Sequence, residues 1–513
     1  MKINLSVPPL SANPIEFVEM NPGTLASDLA TLPHKDFLYS GYRILNDLSQ
    51  FNRASVDDEL RLKLLDLYRI SILNLAKRLR KSIGKSNLPV NKKLLTKLTL
   101  TLDLHTQLIT GYKRILLNQS LTEDTDFSNE ALIVSSERAI FSLLEIITLS
   151  YLSYTPIPEN VWKEMHIIFQ LAYQKGYSAI KVQDIADSSK NLKILDIYLF
   201  ALLLGLSEPY GLPKGSLYTL MPYFHLWIGY LSLFDKNNLD GLRYTYRIDP
   251  DIDKPFLPFV ESRPEGKLYV TTDSLIHQMF GPNPPLIASS EENAVEKHKL
   301  FRRSYFPKLI TSWTNYPIRR YQRNSTSGEM QLITGLENAI NILRKEEQVL
   351  SAKEKNQIQR WQIRNDSATG LGVEYKGHEI ESVSVGDLVL YRTDDMEPEG
   401  WVTGIIRRFM QLGRSHLSMG IQRLPPDAQT GKLSGLGEDN MIKQDILLYP
   451  EKPLLNSEAN IIAPPGTYNP AAEFHLMLDS DRDFKIRAIK TMQINPILEQ
   501  FTFEYLDQES SAT

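Results

Sequence analysis

The sequence predicts an α+β protein of several domains, in which an N-terminal array of helical hairpins precedes an antiparallel β-barrel and a further C-terminal β unit. Three observations predict this class. Apolar residues recur at helical spacing through residues 25–235. Short runs rich in β-branched and aromatic residues follow between 381 and 424. The 513 residues also exceed what one hydrophobic core organises, so about three domains are expected.

The composition is that of an ordinary globular protein, with 42% apolar and 23% charged residues. The chain has no cysteine, which excludes disulfides, cysteine-ligated zinc and thiol catalysis. The net charge of -4 argues against coating of a nucleic acid polymer, which needs many cationic contacts with phosphate. The first ten residues lack the apolar core of a secretion signal, so we expect a cytoplasmic protein.

The first long predicted helix follows residue 55. Ser55 is its expected N-cap, acidic residues at 57–59 fill its first turn, and basic residues crowd its last turn before Gly84. Its buried face is predicted from apolar residues three or four positions apart, which are Leu65, Tyr68, Ile72, Leu75, Leu79 and Ile83.

The next helices form the hairpin array. Residues 98–104 alternate like a strand, but the wider window keeps helical spacing and favours a helix. Helices are then predicted over Glu130–Ser153 and Glu159–Lys175, with Pro158 in the first turn of the second helix and Gly176 at its end. No strict repeat period recurs, so we predict an irregular array that presents a surface to protein partners.

One uncharged stretch, Leu217–Phe234, approaches the length of a membrane span. It contains Pro222, His225 and Gly229 and has no flanking basic cluster, so a buried helix pair is the preferred interpretation and no transmembrane span is expected. The apolar run Ile194–Leu206 is shorter still and fits a core helix.

A mixed region follows over 236–317. It begins with a strand-like run at 242–248 and ends in a helix predicted over Ser290–Trp313. Three strands are then predicted within 381–392, 401–409 and 416–424, because β-branched and aromatic residues alternate between Gly, Asp and Pro punctuation.

Further elements flank these strands. A strand near 330–334 precedes a helix predicted over Leu336 to about Lys355. Strand-like runs at 474–478 and 501–505 predict the C-terminal β unit, packed on the first. The last residues, from 508, are expected to be disordered.

Two short motifs carry the candidate site. Each alone is weak, since an R-x-x-x-R spacing arises by chance and N-x-S-x-x-G is an ordinary turn signature. Together they supply guanidinium groups for phosphate or the guanine edge, an amide for a base edge, a hydroxyl for phosphate and a glycine for close backbone approach. The candidate residues are Arg319, Arg320, Arg323, Asn365, Ser367 and Gly370. This set of groups suits a nucleotide.

These motifs and the strands after them resemble the PilZ domain, the bacterial receptor module for cyclic di-GMP. Arg319 and Arg323 match its arginine positions, and the motif from Asn365 to Gly370 matches its second pattern. The gap between the two motifs is longer than is usual for that family, and we interpret the helix from Leu336 as an insertion within the barrel. The resemblance implies a six-stranded antiparallel β-barrel over residues 318–425.

The resemblance also implies roles for the candidate residues. Arg319 and Arg323 would contact phosphate and guanine, with Arg320 and Arg364 as neighbouring candidates. The amide of Asn365 would contact a guanine edge and the hydroxyl of Ser367 a phosphate. The arginine segment would act as a flexible loop that the dinucleotide draws onto the barrel.

Two functions remain open at this point. In the first, the barrel senses the second messenger cyclic di-GMP, and the helical domain 1–235 passes the signal to an unidentified protein partner. Because PilZ-like proteins serve such systems, the resemblance implies type IV pilus, motility or biofilm control. In the alternative, the chain is a ligand-independent adaptor or chaperone with a degenerate barrel. The domains expected after 1–235 are the mixed region 236–317, the barrel 318–425, the β unit 426–507 and the tail 508–513.

No catalytic motif is recognisable, so we do not expect an enzyme, a cofactor or a metal site. Nine histidines are scattered along the chain. His105 and His225 are expected to be core residues with satisfied ring nitrogens. His166, near aromatic residues on one predicted helix, is also best explained by packing.

Overall fold

The computed structural model describes most of the chain. The described ranges are residues 5–11, 19–33, 36–120, 130–187, 191–235, 242–259, 268–281, 284–287, 294–314, 324–345, 351, 357–377, 380, 382–394, 400–435, 443–452, 458–495 and 497–506. They form two compact units. The helical unit comprises Met1–Pro209, Leu217–Ala288 and Leu309–Pro317, and the barrel unit comprises Tyr210–Ser216, Ser289–Lys308 and Ile318–Thr513.

The helices come first along the chain. They are α1 (Pro22–Thr31), α2 (Phe37–Phe51), α3 (Asp58–Lys85), α4 (Lys92–Ser120), α5 (Glu130–Ser153), α6 (Val161–Gln174), α7 (Ile194–Leu206), α8 (Ser216–Trp227), α9 (Asp273–Phe280) and α10 (Ala294–Thr314). Helix α4 packs against α2, α3 and α5, and α5 packs against α3, α6 and α7. Neighbouring helices along the chain therefore form hairpins, as predicted.

Helix α3 buries the predicted face but is capped differently. All six apolar residues predicted for that face are buried. The cap is Asp57 rather than Ser55, because the Asp57 carboxylate accepts hydrogen bonds from the backbone N–H groups of Glu59 and Leu60, at 3.0 and 3.3 Å. Gly84 lies inside the last turn, and Ser86 is the C-cap. A carboxylate suits this position because it also interacts favourably with the helix dipole.

Helix α5 occupies the centre of the helical unit and has the predicted bounds. It is buried around most of its circumference, including the charged residues Glu137 and Arg138. These two form an ion pair at 2.6 Å, and the Arg138 guanidinium also reaches Asp66 at 3.2 Å. Pairing of this kind is what allows charged side chains to be buried, because an isolated buried charge is strongly destabilising.

Helix α6 begins at Val161, two residues after its predicted start, so Pro158 precedes the helix. Its N-cap, Asn160, has a left-handed φ of 67° and makes no side-chain capping bond. The Asp253 carboxylate caps the helix instead. It accepts hydrogen bonds from the backbone N–H groups of Asn160, Trp162 and Lys163 at 2.6, 3.0 and 3.1 Å.

The uncharged stretch predicted as a helix pair has a different structure. Helix α8 ends at Trp227, a 3₁₀ turn follows, and the chain then enters a strand. By length and composition, the segment Ile194–Gly211 alone among the described helices could cross a membrane, and 67% of it is buried inside the protein.

Short strands complete the helical unit. They are β1 (Lys181–Gln183), β2 (Asn191–Lys193), β3 (Ser232–Phe234), β4 (Thr245–Ile248), β5 (Leu257–Pro258) and β6 (Leu268–Thr271). The first two form a hairpin, and the other four form an antiparallel sheet in the order β3-β6-β4-β5. The strand predicted at 242–248 corresponds to β4, which starts three residues later, at Thr245.

The barrel unit contains two closed six-stranded barrels. The first barrel consists of β7 (Asn324–Thr334), β8 (Gln359–Ser367), β9 (Gly370–Lys376), β10 (Leu388–Thr393), β11 (Val402–Gly413) and β12 (His416–Arg423). The second barrel consists of β13 (Gln429–Gly435), β14 (Gln444–Tyr449), β15 (Asn460–Ala463), β16 (Glu473–Leu478), β17 (Asp483–Ile494) and β18 (Glu499–Tyr505). The predicted α+β architecture, with helices first and β-barrels after them, is confirmed.

The two barrels have the same topology. Taking the six strands of each in chain order, the order around the barrel is first, second, third, sixth, fifth and fourth in both. The fifth strand is the longest in each, at 12 residues, and its pairing with the sixth shows two register shifts in both barrels. The C-terminal β unit is thus a second copy of the same arrangement.

An inserted helix and a shared apolar cluster join the barrels. The insertion is α11 (Leu336–Leu343), which is shorter than predicted; residues 346–350 and 352–355 of the predicted helix lie outside the described residues. The cluster contains Ile333, Ala339, Ile340, Ile342, Leu388, Leu390, Ile405, Leu424, Leu447, Tyr449, Ile462 and Leu498. The Tyr449 and Thr403 hydroxyls, 3.0 Å apart, add a polar contact between the barrels.

The wall of the second barrel that faces the first is made by β14 and β15. Along β14, Ile446 and Leu448 point into the second barrel, whereas Leu447 and Tyr449 point outward into the shared cluster. Ile462 of β15 also points outward there. These two strands are the counterparts of β8 and β9, which carry the second sequence motif in the first barrel.

Candidate functional site

The second motif lies at the hairpin between β8 and β9. Ser367 pairs with Gly370 across a two-residue turn, and the Ser367 hydroxyl donates a hydrogen bond to the Gly370 carbonyl at 3.0 Å. The hydroxyl proton is therefore used inside the hairpin, while the oxygen keeps its capacity to accept a further hydrogen bond.

Gly370 is required by the barrel itself. A Cβ atom added there would lie 2.3 Å from the carbonyl oxygen of Ile421 on β12. Such a contact is far inside van der Waals distance, and the neighbour is backbone of a paired strand. The sequence analysis predicted a glycine for close approach to a ligand, and the close approach in the structure is to β12.

Asn365 lies on the outer wall of the first barrel. It pairs with Gly372, and a Cβ atom on Gly372 would lie 2.6 Å from both terminal atoms of the Asn365 side chain. The amide group thus rests on the bare backbone of Gly372. Its Oδ1 atom is buried and has no hydrogen-bond partner within the described ranges. An unpaired buried acceptor costs about 1–3 kcal/mol, so a hydrogen-bond donor that reached this atom would stabilise it.

The arginine motif lies outside the described residues, since Arg319, Arg320 and Arg323 belong to the segment 315–323. The structure therefore brings together Asn365, Ser367 and Gly370 but does not test the arginines. Strand β7 starts at Asn324, which pairs with Asp366, and Ser325 pairs with Asn365. In the sequence the arginine motif ends one residue before this pairing begins.

A groove of about 710 Å³ runs across the outer wall formed by β8, β9, β12 and β11. The three described motif residues line it. Its floor contains Gly372 and Gly420, which are directly paired. Neither glycine carries a side chain, but only Gly420 is partly exposed, because the Asn365 side chain covers Gly372.

Two arginines that the sequence analysis did not identify line the same groove. Arg407 and Arg408 are consecutive residues of β11, and both are exposed. In a regular strand one of them would point inward. A register shift between Ile406 and Arg408 turns both outward. The consecutive basic pair within an otherwise apolar strand was the signal available in the sequence.

Arg364, a neighbouring candidate, is held by an ion pair on the groove wall. Its guanidinium lies 3.0 Å from the Glu374 carboxylate, which also lies 3.1 Å from Nε2 of His416. Burial alone would raise the pKa of Glu374, but the hydrogen bonds from His416 and Arg364 outweigh burial and lower it. Arg364 is thus already neutralised by a carboxylate, so it is a weaker candidate for binding an anion.

The histidines considered in the sequence analysis lie elsewhere. His166 is buried, its Nε2–H donates to the Lys254 carbonyl and its Nδ1 accepts from the Tyr198 hydroxyl, both at 2.7 Å. Burial lowers the pKa of His166 to about 4. His105 is buried as predicted, but neither ring nitrogen has a partner in the described part of the chain, whereas His225 is exposed.

The described residues contain no group of three or more His, Asp or Glu side chains that could hold a metal ion. The groove instead combines three guanidinium groups, an unpaired amide oxygen and a glycine floor, with Glu374 as its one carboxylate among the described lining residues. These are the groups of a binding protein for a planar, anionic ligand.

Two comparisons with known proteins match this chain. A sequence model described as "Cyclic-di-GMP receptor FimW, N-terminal domain" matches residues 24–236, which include α2 to α8. This match falls on the helical part of the chain, whereas the resemblance to PilZ domains rests on the first barrel.

One curated protein is similar over a longer stretch. It is the cyclic-di-GMP receptor FimW of Pseudomonas aeruginosa, 24% identical over 343 residues, which cover 65% of this chain and 55% of that protein. The chain thus spans about half the length of the curated relative. No solved structure matches the chain.

Proposed function

We propose that this protein is a cyclic di-GMP receptor of the PilZ type, in which the first barrel binds the nucleotide. The observation that carries the proposal is the groove on its outer wall, where the unpaired amide oxygen of Asn365 faces a glycine floor. The match of residues 24–236 to the N-terminal domain of a cyclic-di-GMP receptor supports the same ligand through a different part of the chain, and the longer similarity to a curated cyclic-di-GMP receptor agrees with it.

The proposed site joins both sequence motifs. Arg319 and Arg323, with Arg320 beside them, bind phosphate and guanine; Asn365 contacts a guanine edge. The Ser367 hydroxyl donates a hydrogen bond to phosphate once it releases its hydrogen bond to the Gly370 carbonyl. Because the arginine motif directly precedes β7, and β7 pairs with the Asn365 strand, the chain reaches the groove without a long connection.

The proposed output is a change in partner binding. The ligand contacts the arginine segment, which in the sequence lies between α10 and the first barrel. The helical unit then binds a protein partner with altered affinity. We place the protein in the bacterial cytoplasm, in control of type IV pili, motility or biofilm formation, and assign it no enzymatic activity.

Titration calorimetry with cyclic di-GMP tests the binding proposal. We expect wild type to bind and Arg319→Ala/Arg323→Ala to bind at least about tenfold more weakly, because one charge-assisted hydrogen bond contributes about 1.5–3 kcal/mol. The matched control is Arg360→Ala/Arg414→Ala, which removes two exposed arginines that do not line the groove. Equal heats for wild type and Arg319→Ala/Arg323→Ala would exclude the site.

One observation favours the alternative, a ligand-independent adaptor. Ser367 and Gly370 both have structural roles that need no ligand. The Ser367 hydroxyl donates a hydrogen bond within the hairpin, and Gly370 allows the close approach of β12. Capture of partner proteins by the full chain, with and without cyclic di-GMP, separates the two functions. Capture that is the same in both conditions and in Arg319→Ala/Arg323→Ala supports the adaptor.

A further inference from the structure

Four residues form a single row across the outer wall of the first barrel. Arg408 of β11 pairs with Gly420 of β12, Gly420 pairs with Gly372 of β9, and Gly372 pairs with Asn365 of β8. The row thus has a guanidinium at one end, an amide at the other and two glycines between them. Three strand spacings of about 4.8 Å separate the end residues by roughly 14 Å between backbones.

Only Gly420 leaves the middle of the row uncovered, because Gly372 is buried beneath the Asn365 amide. A side chain at Gly420 would occupy the groove floor beside Arg408, and one at Gly372 would displace the Asn365 amide. A planar base can lie against the Gly420 backbone, with the Arg408 guanidinium on one side and the Asn365 amide on the other. The spacing is therefore suited to a ligand larger than a single phosphate.

Arg408 is available for such a ligand. None of the ion pairs formed by described residues involves Arg407 or Arg408, in contrast to Arg364 and Glu374. The Arg407 guanidinium donates to the side-chain oxygens of Gln422 and Gln493, both at 2.6 Å. The Arg408 guanidinium lies 5.8 Å from the centre of the Tyr210 ring, a cation–π contact that is weaker than a hydrogen bond to phosphate.

We propose that Arg408 forms the far wall of the nucleotide site and binds the half of the dinucleotide that lies away from Asn365. This inference rests on the proposed function, because it takes cyclic di-GMP as the ligand. The ligand carries two phosphates and two guanines. Asn365 contacts one half, and Arg408 pairs with the phosphate or the guanine edge of the other half across Gly420.

Arg407 has a different part in this arrangement. Its hydrogen bond to Gln493 reaches the second barrel, so replacing it would disturb barrel packing as well as the groove. Arg408 makes no such bond, which makes it the residue to test.

The experiment is titration calorimetry of the full chain with cyclic di-GMP, using Arg408→Ala, Arg408→Lys and the control Arg414→Ala. Arg414 is an exposed arginine in the turn between β11 and β12 and does not line the groove. We expect Arg408→Ala to weaken binding at least about tenfold, the loss of one charge-assisted hydrogen bond. Arg408→Lys keeps the charge but loses bidentate pairing, so its affinity should be intermediate. Arg414→Ala should match wild type.

The outcomes separate the two proposals. If wild type binds cyclic di-GMP and the affinity of Arg408→Ala is within twofold of the wild-type affinity, the role of Arg408 is overturned. The proposed receptor function is not affected by that result. No heat with wild type overturns the receptor function and this inference with it. The midpoint of thermal unfolding, measured for each variant, should stay near that of wild type, and Arg408→Lys provides the test if Arg408→Ala is unstable.

Discussion

Gly370 and Gly372 belong to the same strand but have different neighbours. A Cβ atom on Gly370 would meet the Ile421 backbone, whereas one on Gly372 would meet only the end of the Asn365 side chain. Backbone held in a barrel cannot yield, but a side-chain amide can rotate away. Gly370 is therefore required for the barrel to fold, whereas Gly372 is required for the Asn365 side chain to keep its position in the proposed site.

We predict that Gly370→Ala lowers the free energy of unfolding by about 1–3 kcal/mol, the usual cost of overpacking. Gly372→Ala should lower it by less than about 1 kcal/mol while weakening nucleotide binding, because the methyl group fills the groove floor and displaces Asn365. Urea unfolding and calorimetry measure the two effects. A stable Gly370→Ala protein, or a Gly372→Ala protein with wild-type affinity, would contradict this assignment.

At this scale the sequence analysis named three of the described residues that line the groove, Asn365, Ser367 and Gly370. The amide, hydroxyl and glycine of the second motif are local, so a short pattern is enough to find them. Arg407 and Arg408 were missed because a strand normally points consecutive residues to opposite faces. The register shift that turns both outward depends on the pairing of β11 with β12, which no short sequence pattern encodes.

At the scale of elements, the cap of α6 comes from a distant part of the chain. Asp253 lies 93 residues after Asn160, yet its carboxylate accepts hydrogen bonds from three N–H groups at the start of the helix. The sequence analysis placed that start two residues too early because it relied on a nearby proline. Helix α5 has the bounds predicted for it, Glu130 to about Ser153.

We predict that Asp253→Ala destabilises the protein by about 0.5–2 kcal/mol, the range measured when a capping side chain is removed. Asp251→Ala is the control, because Asp251 is an exposed neighbouring aspartate that does not contact α6 in the described structure. Urea unfolding followed by far-ultraviolet circular dichroism measures both. Equal stabilities for the two variants would show that the long-range cap contributes nothing.

At the scale of the whole molecule, the repeated barrel topology has a bearing on ligand binding. The repeat was not recognised in the sequence, because the two barrels share strand order and register shifts rather than residues. In the second barrel the wall equivalent to β8 and β9 carries Leu447, Tyr449 and Ile462 and packs against the first barrel. That wall is therefore not available to a nucleotide.

We predict that all nucleotide binding belongs to the first barrel. Arg319→Ala/Arg323→Ala/Asn365→Ala should show no residual heat with cyclic di-GMP. Lys490→Ala should bind like wild type, although Lys490 follows the first register shift of β17 as Arg408 does in β11. Saturable binding that survives the triple substitution would place a second site in the other barrel.

The contact between the barrels is head-to-tail, since the first barrel contributes β7, β10, β11 and α11 and the second contributes β14, β15 and Leu498. In a two-fold contact, both barrels would bury the same wall. Here each barrel buries a different wall, so this contact buries the β8–β9 type of wall in only one of them. One copy of the β8–β9 type of wall stays open at the end of the stack. Adding further barrels in the same manner would lengthen the molecule but leave its number of open grooves at one.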